Sequence, residues 1–262
     1  MKAFSAMLEG AEISLRRCCP QLRPYVGCFW TIEARRGGRV RSVPDGCTSI
    51  DFTFRASQLP IANFTGPSTA PRERLFEDER IVGVRLNPGV AHLLLRRPIH
   101  ELLDRRVAIA SVVADAPLAD AVLSPDDHID RMELWLIGHL SGANIEPTVA
   151  RCIARIAGRG GDIRVEPLAR ELGVSARHLN RLFRKWTGYS VKSLARVARF
   201  QNVLDGFDNA DAPGAAAVAA ENGFFDQAHL SRDVTHFARD TPTRLISGRV
   251  ADFSKTRCDD LS

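Results

Sequence analysis

Two tetrads in the sequence carry side chains suited to one kind of chemistry. They are His178-Leu179-Asn180-Arg181 and, fifty-one residues on, His229-Leu230-Ser231-Arg232. An arginine fork matches O6 and N7 of guanine, and a side-chain amide can pair with adenine, both at the major-groove edge. Residues three apart on a helix share a face, so each His–Arg pair can enter one groove. Each tetrad follows a glycine, Gly173 and Gly223. Each glycine follows a short segment with alanine and glutamate, PLARELG and AVAAENG. The repeated unit is therefore helix, glycine turn, helix. In the first copy Leu168, Leu172, Val174, Leu179, Leu182 and Phe183 form the core side, while Arg177, His178, Asn180, Arg181, Arg184 and Lys185 point outward. One such unit alone could equally be an amphipathic helix with a solvated basic face. Two units joined by one long helix weigh against that.

The elements that must position these residues are marked by caps and breakers. Glu166 and Pro167 suit a helix start. Ser175 is an N-cap before ARHLNRLFRKWTG, which Gly188 stops. SVKSLARVARFQNVLDG is a long connecting helix opened by Ser190. Pro213-Gly214 opens the second unit, Asp226 caps its second helix, and Thr241-Pro242 starts a last short one.

On these residues the stretch from about 164 to 248 resembles the DNA-binding domain of the AraC/XylS family of transcriptional regulators. The matching pieces are LARELGVSARHLNRLFRKWTGYSVK, LARVARFQNVL and AAAVAAENGFFDQAHLSRDVTHFARDTPTRL. The resemblance implies a double-stranded DNA partner read in the major groove, and RNA polymerase as a further partner. It puts base-reading positions at Arg177, Asn180 and Arg181 and at Gln227, His229 and Arg232, with Ala228 an apolar neighbour. It puts phosphate contacts at Ser175, Arg184, Lys185, Lys192 and Arg196. For Arg181 and Arg232 a phosphate contact, or an ion pair with Asp233 or Glu221, stays open. The second unit departs from the family: Val234, Thr235 and His236 stand where phenylalanine and basic residues are usual, and Arg239 where glycine is. Fewer phosphate partners lower both affinity and its salt dependence, so unequal use of the two units is expected.

The first half reads as strands. YVGCFWTIE is aromatic and β-branched, with a turn expected at Gly37-Gly38. Pro44-Asp45-Gly46 is a turn before TSIDFTFR, where Ile50, Phe52 and Phe54 alternate with polar residues, and RIVGVRL is a further strand. VPDGCTSIDFTF, FTGPSTAP and VGVRLNPGVAHLLLRRPIHELLDRRVAI are similar to a sensor domain of one branch of that family. That implies a cupin-like or small-barrel module taking a small-molecule effector of unknown identity. Trp30, Asp45, Cys47 and Phe52 are pocket candidates, against the plainer readings of a turn, a buried thiol and core aromatics. After Pro88 the period becomes helical. The stripe Ile129, Met132, Leu134, Leu136, Ile137 and Leu140 is either core or a homodimer face. GRGGD, 158–162, is the linker candidate.

The expectation is an α+β chain: a β-rich sensor at 1–110, a helical linker or dimerisation region at 111–160, a DNA-binding domain at 161–250 of two helix-turn-helix units, and a tail at 251–262. Composition agrees. The chain has 262 residues, 45% hydrophobic and 26% charged, with formal charge +5, enough for two folded domains and weakly in favour of an acidic partner. The six cysteines include no CxxC pair and the histidines are scattered, so neither a zinc site nor a disulfide framework is expected. That disfavours a DNA-repair methyltransferase on the same DNA-binding domain, and strands without histidine disfavour a cupin enzyme. No cofactor and no catalysis are expected. No apolar run approaches ~20 residues, and MKAFSAMLEGAEISLRR does not read as a secretory leader. A cytoplasmic protein without a membrane partner is expected.

Overall fold

The computed structural model of the chain describes residues 6–56, 58–112, 127–207, 219, 222–224, 226–242 and 253–254. An antiparallel sheet is followed by packed helices, an α+β architecture. The strands are β1 (Ala6–Arg16), β2 (Val26–Ser42), β3 (Thr48–Arg55), β4 (Ile61–Thr65), β5 (Arg72–Leu75), β6 (Glu79–Leu86), β7 (Arg106–Ala108) and β8 (Phe253–Ser254). Their order is β7-β4-β3-β6-β2-β1-β8, with β5 paired to β2.

The turn expected at Gly37-Gly38 is instead a bend within one long strand. The first half of β2 pairs with β6 and its second half, from Arg39, with β5. Opposite the bend β1 carries an irregularity between Glu9 and Ala11. A Cβ at Gly38 would fall 2.7 Å from the Gly10 carbonyl oxygen. The glycine is needed for close passage of two backbones, and the strand curls without breaking.

Alternation divides the sheet into two faces. Phe29, Ile50, Phe52, Val82 and Val84 point toward α1 (Val90–Leu95) and α2 (His128–Leu140). Phe52 thus sits in this apolar layer, 1% exposed, and not in a pocket wall. Met132, Leu136 and Leu140 of α2 are fully buried in the same layer, with Ile129 and Ile137 packed against it and only Leu134 exposed. The stripe that was open between core and a second copy of the chain is core. On the other face Trp30, Ile32, Phe76 and Ile81 cluster inside the curl.

The remaining helices are α3 (Pro147–Gly158), α4 (Val165–Glu171), α5 (Ala176–Thr187), α6 (Val191–Phe207) and α7 (Gln227–Ala238). They share one core that includes Cys152, Leu168, Phe183, Phe200, Leu230 and Phe237. The expected linker at 158–162 is a tight turn wedged on α6. Gly161 is buried with φ +83°, and a Cβ there would lie 2.2 Å from the Ala195 carbonyl oxygen. Most of the second unit's first helix, Pro213-Gly214, Glu221 and most of the tail lie outside the described residues.

A seam joins sheet and helices. Val43 is buried in the helical core. The Pro44 carbonyl accepts from Gln201 Nε2 at 2.7 Å, and the Ser68 carbonyl accepts from the Tyr189 hydroxyl at 2.7 Å. Burial pushes the Tyr189 pKa up, so the phenol stays protonated and donates. The His92 ring meets Trp186 edge-on at 4.3 Å, and its Nδ1, 2.7 Å from the Arg97 carbonyl oxygen, carries the proton. Burial first, then Lys185, holds the His92 pKa below its ordinary value. The unfolded chain therefore takes up this proton first. The resulting stability is full above the unfolded pKa, near 6.5, and is lost as pH falls through the lower folded value. The thermal midpoint is expected to drop between pH 7.5 and 5.5, and His92→Gln to flatten that part of the profile. An unchanged slope in the variant would assign the drop to other groups.

Candidate nucleic-acid interface

In the first unit α4 ends at Glu171, capped by Leu172, and Gly173, φ +73°, turns the chain into α5. Ser175 Oγ accepts from the His178 amide at 3.2 Å and so opens α5, and Gly188 in the left-handed region closes it. Leu179 and Phe183 face the core. Arg177, Arg181 and Arg184 are exposed, at spacings of four and three that stack them along one side of α5. Arg181 Nη2 lies 3.2 Å from His178 Nδ1. The three arginines border a concavity with Lys192 at the start of α6, Glu166 at the start of α4, and His100 from the sheet domain.

Asn180 and Arg196 also have partners within the protein. Asn180 Oδ1 accepts from the Val191 amide at 3.2 Å and its Nδ2 donates to the Ala176 carbonyl at 3.1 Å. The amide expected at an adenine edge thus joins α5 to α6. Arg196 pairs with Asp233 of α7 at 2.6 Å, and its guanidinium lies 5.3 Å from the Phe237 ring centroid. It ties the connecting helix to the second unit.

In the second unit Asp226 Oδ1 accepts from the His229 amide at 2.6 Å and caps α7. Gln227, Ala228, Arg232 and Thr235 are exposed along it. Arg232 Nε donates to its own turn, to the Ala228 carbonyl at 3.3 Å. His229 is half-buried, its ring edge-on to Phe224. Arg239 ends α7 with φ +51°, a left-handed cap that glycine takes without strain.

Inside the curl of the sheet lies a cavity of about 510 Å³ lined in part by Trp30, Asp45, Cys47 and Thr48. Burial pushes the Cys47 thiol up to about 12, so it stays neutral. Among the described residues no group of three His, Cys, Asp or Glu is placed to hold a metal ion. No described helix is long and apolar enough to cross a membrane.

Residues 168–247 match the family described as a helix-turn-helix domain, the AraC-type one. The helical half of this chain contains an AraC-type DNA-binding domain. Residues 16–108, which include most of the sheet, match a domain of unknown function, DUF6597. No curated protein matches the chain. Among solved structures, the C-terminal domain of AraT, a response regulator from Geobacillus stearothermophilus, is 20% identical with a TM-score of 0.38, over 41% of this chain and 89% of that one. An AraC-type transcriptional regulator from Chromobacterium violaceum is 18% identical at 0.36, over 39% and 92%. ToxT from Vibrio cholerae O395, bound to (E)-4-(8-methylnaphthalen-1-yl)but-3-enoic acid, is 8% identical at 0.42, over 94% and 98%. All three likenesses are shallow.

Within the AraC-type domain, then, Arg177, Arg181, Arg184 and Lys192 come together on one concave face, while Gln227 and Arg232 are exposed on α7. Lys185 is exposed but belongs to the seam, close enough to His92 to lower its pKa. Ser175 uses its side-chain oxygen as a cap. His100 is the residue that sequence reading missed. It lies some eighty positions before α5, and only the packing of the 3₁₀ turn Ile99–Leu102 against α5 brings it to the concavity.

Proposed function

We propose that the chain is a sequence-specific DNA-binding transcription regulator whose first helix-turn-helix unit is the main reader. Its sheet domain binds a small-molecule effector in the cavity behind Asp45 and Thr48. The observation that carries the reading is the exposed row Arg177, Arg181 and Arg184 on α5, joined by Lys192 on one face. Three guanidiniums at helical spacing offer both forks for guanine and partners for phosphate, and no core role competes for them. Arg181 and Arg177 are assigned to bases, Arg184 and Lys192 to the backbone. On α7, Gln227 and Arg232 are the readers, with no lysine beside them at Thr235 or His236.

Selection of bound sequences from a random DNA library gives the motif, and two variants test the roles. Arg181→Ala is expected to relax one base position and cost about 1–3 kcal/mol on the preferred site. Lys192→Ala should weaken all sequences alike and reduce the salt slope by about one. An unchanged motif in Arg181→Ala, with only a shallower salt slope, would make Arg181 a phosphate contact and overturn the assignment.

A further inference from the structure

The sheet cavity has one apolar wall, made by Trp30, Ile32, Val40, Phe76 and Ile81. Trp30 is seated there because Gly83 faces it across the ladder, and a Cβ at 83 would come within 2.3 Å of the indole. The opposite wall is rich in charge, but its four arginines are balanced by four carboxylates and most of them are paired within the protein. Arg85 pairs with Asp45 at 3.0 Å, Arg106 with Asp51 at 2.5 Å, and Arg74 with the buried Glu79 at 2.7 Å. Glu73 meets Arg41 at 3.2 Å. Arg72 donates to the carbonyls of Gly66 and Pro67, and both oxygens of Asp104 accept from Thr69. Thr48 differs. It lines the cavity, is only 7% exposed, and its buried Oγ1 has no hydrogen-bond partner among the described residues.

We propose that this cavity binds an uncharged, mostly apolar small molecule with a single hydroxyl or carbonyl, held by Thr48 Oγ1 and packed on Trp30. The proposal rests on the effector reading above and adds the chemical class of the effector. The balanced wall decides it. An ionic ligand meets no net opposite charge on a wall of four arginines and four carboxylates, so its own desolvation goes largely uncompensated. A neutral ligand leaves every pair intact and can satisfy the Thr48 hydroxyl, which has no partner among the described residues. A volume near 510 Å³ suits a small organic molecule.

The same wall continues into the seam. Val43 and Ser68 both line the cavity. Val43 is buried in the helical core, the next residue's carbonyl holds Gln201 of α6, and the Ser68 carbonyl holds Tyr189 just after α5. An occupant that shifts this wall shifts the backbone on which the first reader is seated.

The test is calorimetric titration of the full chain at pH 7.5 with 4-phenyl-1-butanol, 4-phenylbutyrate and 4-phenylbutylamine, a matched neutral, anionic and cationic set, up to millimolar. The alcohol is expected to bind at least about tenfold tighter than either ion. Thr48→Val, nearly isosteric, should weaken it by about fivefold, the equivalent of one net hydrogen bond. Butyrate or amine binding as tightly as the alcohol overturns the proposal, as does absence of binding by all three, or an alcohol affinity unchanged in Thr48→Val. DNA affinity measured with and without the alcohol separates the two readings. Binding with no effect on DNA keeps the ligand class and sinks the effector role of the sheet domain.

Discussion

Arg196→Ala is expected to cost the AraC-type domain about 3 kcal/mol, the lower end of the range for breaking a buried ion pair. Its partner Asp233 is 2% exposed. Asp233 receives Arg196 Nη2 at 2.6 Å and Nε at 3.3 Å, so truncation strands a carboxylate inside the contact between α6 and α7. The lower end applies because the Arg196 side chain keeps 35% exposure. Replacing both partners, Arg196→Met with Asp233→Leu, should recover most of the loss, since an apolar pair of similar volume carries no desolvation penalty. Lys192→Ala, one turn earlier and exposed, should stay within about 0.5 kcal/mol. Urea unfolding at constant m decides this. An Arg196→Ala within experimental error of wild type would mean that the pair does not hold the second unit to the connecting helix.

The second large effect is expected at a glycine. Gly161→Ala should destabilise by about 4 kcal/mol, at the upper end for a single substitution. Two costs add there. An L-residue at φ +83° costs about 1–2 kcal/mol, and the new Cβ would stand 2.2 Å from the Ala195 carbonyl oxygen and 2.9 Å from the Arg199 amide nitrogen, both backbone atoms of α6. Gly173→Ala isolates the first cost, since that glycine has φ +73° and nothing within 4 Å of the added atom. It should lose only about 1–2 kcal/mol. Equal losses at the two positions would show that the 158–162 turn moves off α6 freely, as a loose linker would.

These two glycines also mark where sequence reading succeeds and where it stops. Gly173, Ser175 and Gly188 are local signals: a turn, a cap and a stop act within a few residues, so α5 and its exposed face are legible from the local sequence alone. Gly161 is not, because three glycines in five residues look the same whether the chain is loose or pressed against a helix thirty-four positions away. Gly37-Gly38 misled for the same reason, being a close crossing of β1 and not a turn. Asn180 and Arg196 have the right chemistry for DNA, and what sequence does not reveal is that each is also bonded within the protein, to the Val191 amide and to Asp233. Alternation placed Phe52 on a buried face, while the choice between the helix-covered face and the cavity face required the second layer, which is non-local.

The three tryptophans stand at three different places in this architecture. Trp30 lines the cavity, Trp135 stacks on His139 in the layer beneath the sheet, and Trp186 meets His92 at the seam. Indole emission responds to its immediate surroundings, and a protonated imidazole is an efficient quencher. With two of the three replaced by phenylalanine, the remaining one becomes an intrinsic optical probe of a single event. If the proposed ligand binds, the light from position 30 reports its arrival and that from 186 reports the junction of the domains, so the order of the two changes can be timed in one molecule without a dye.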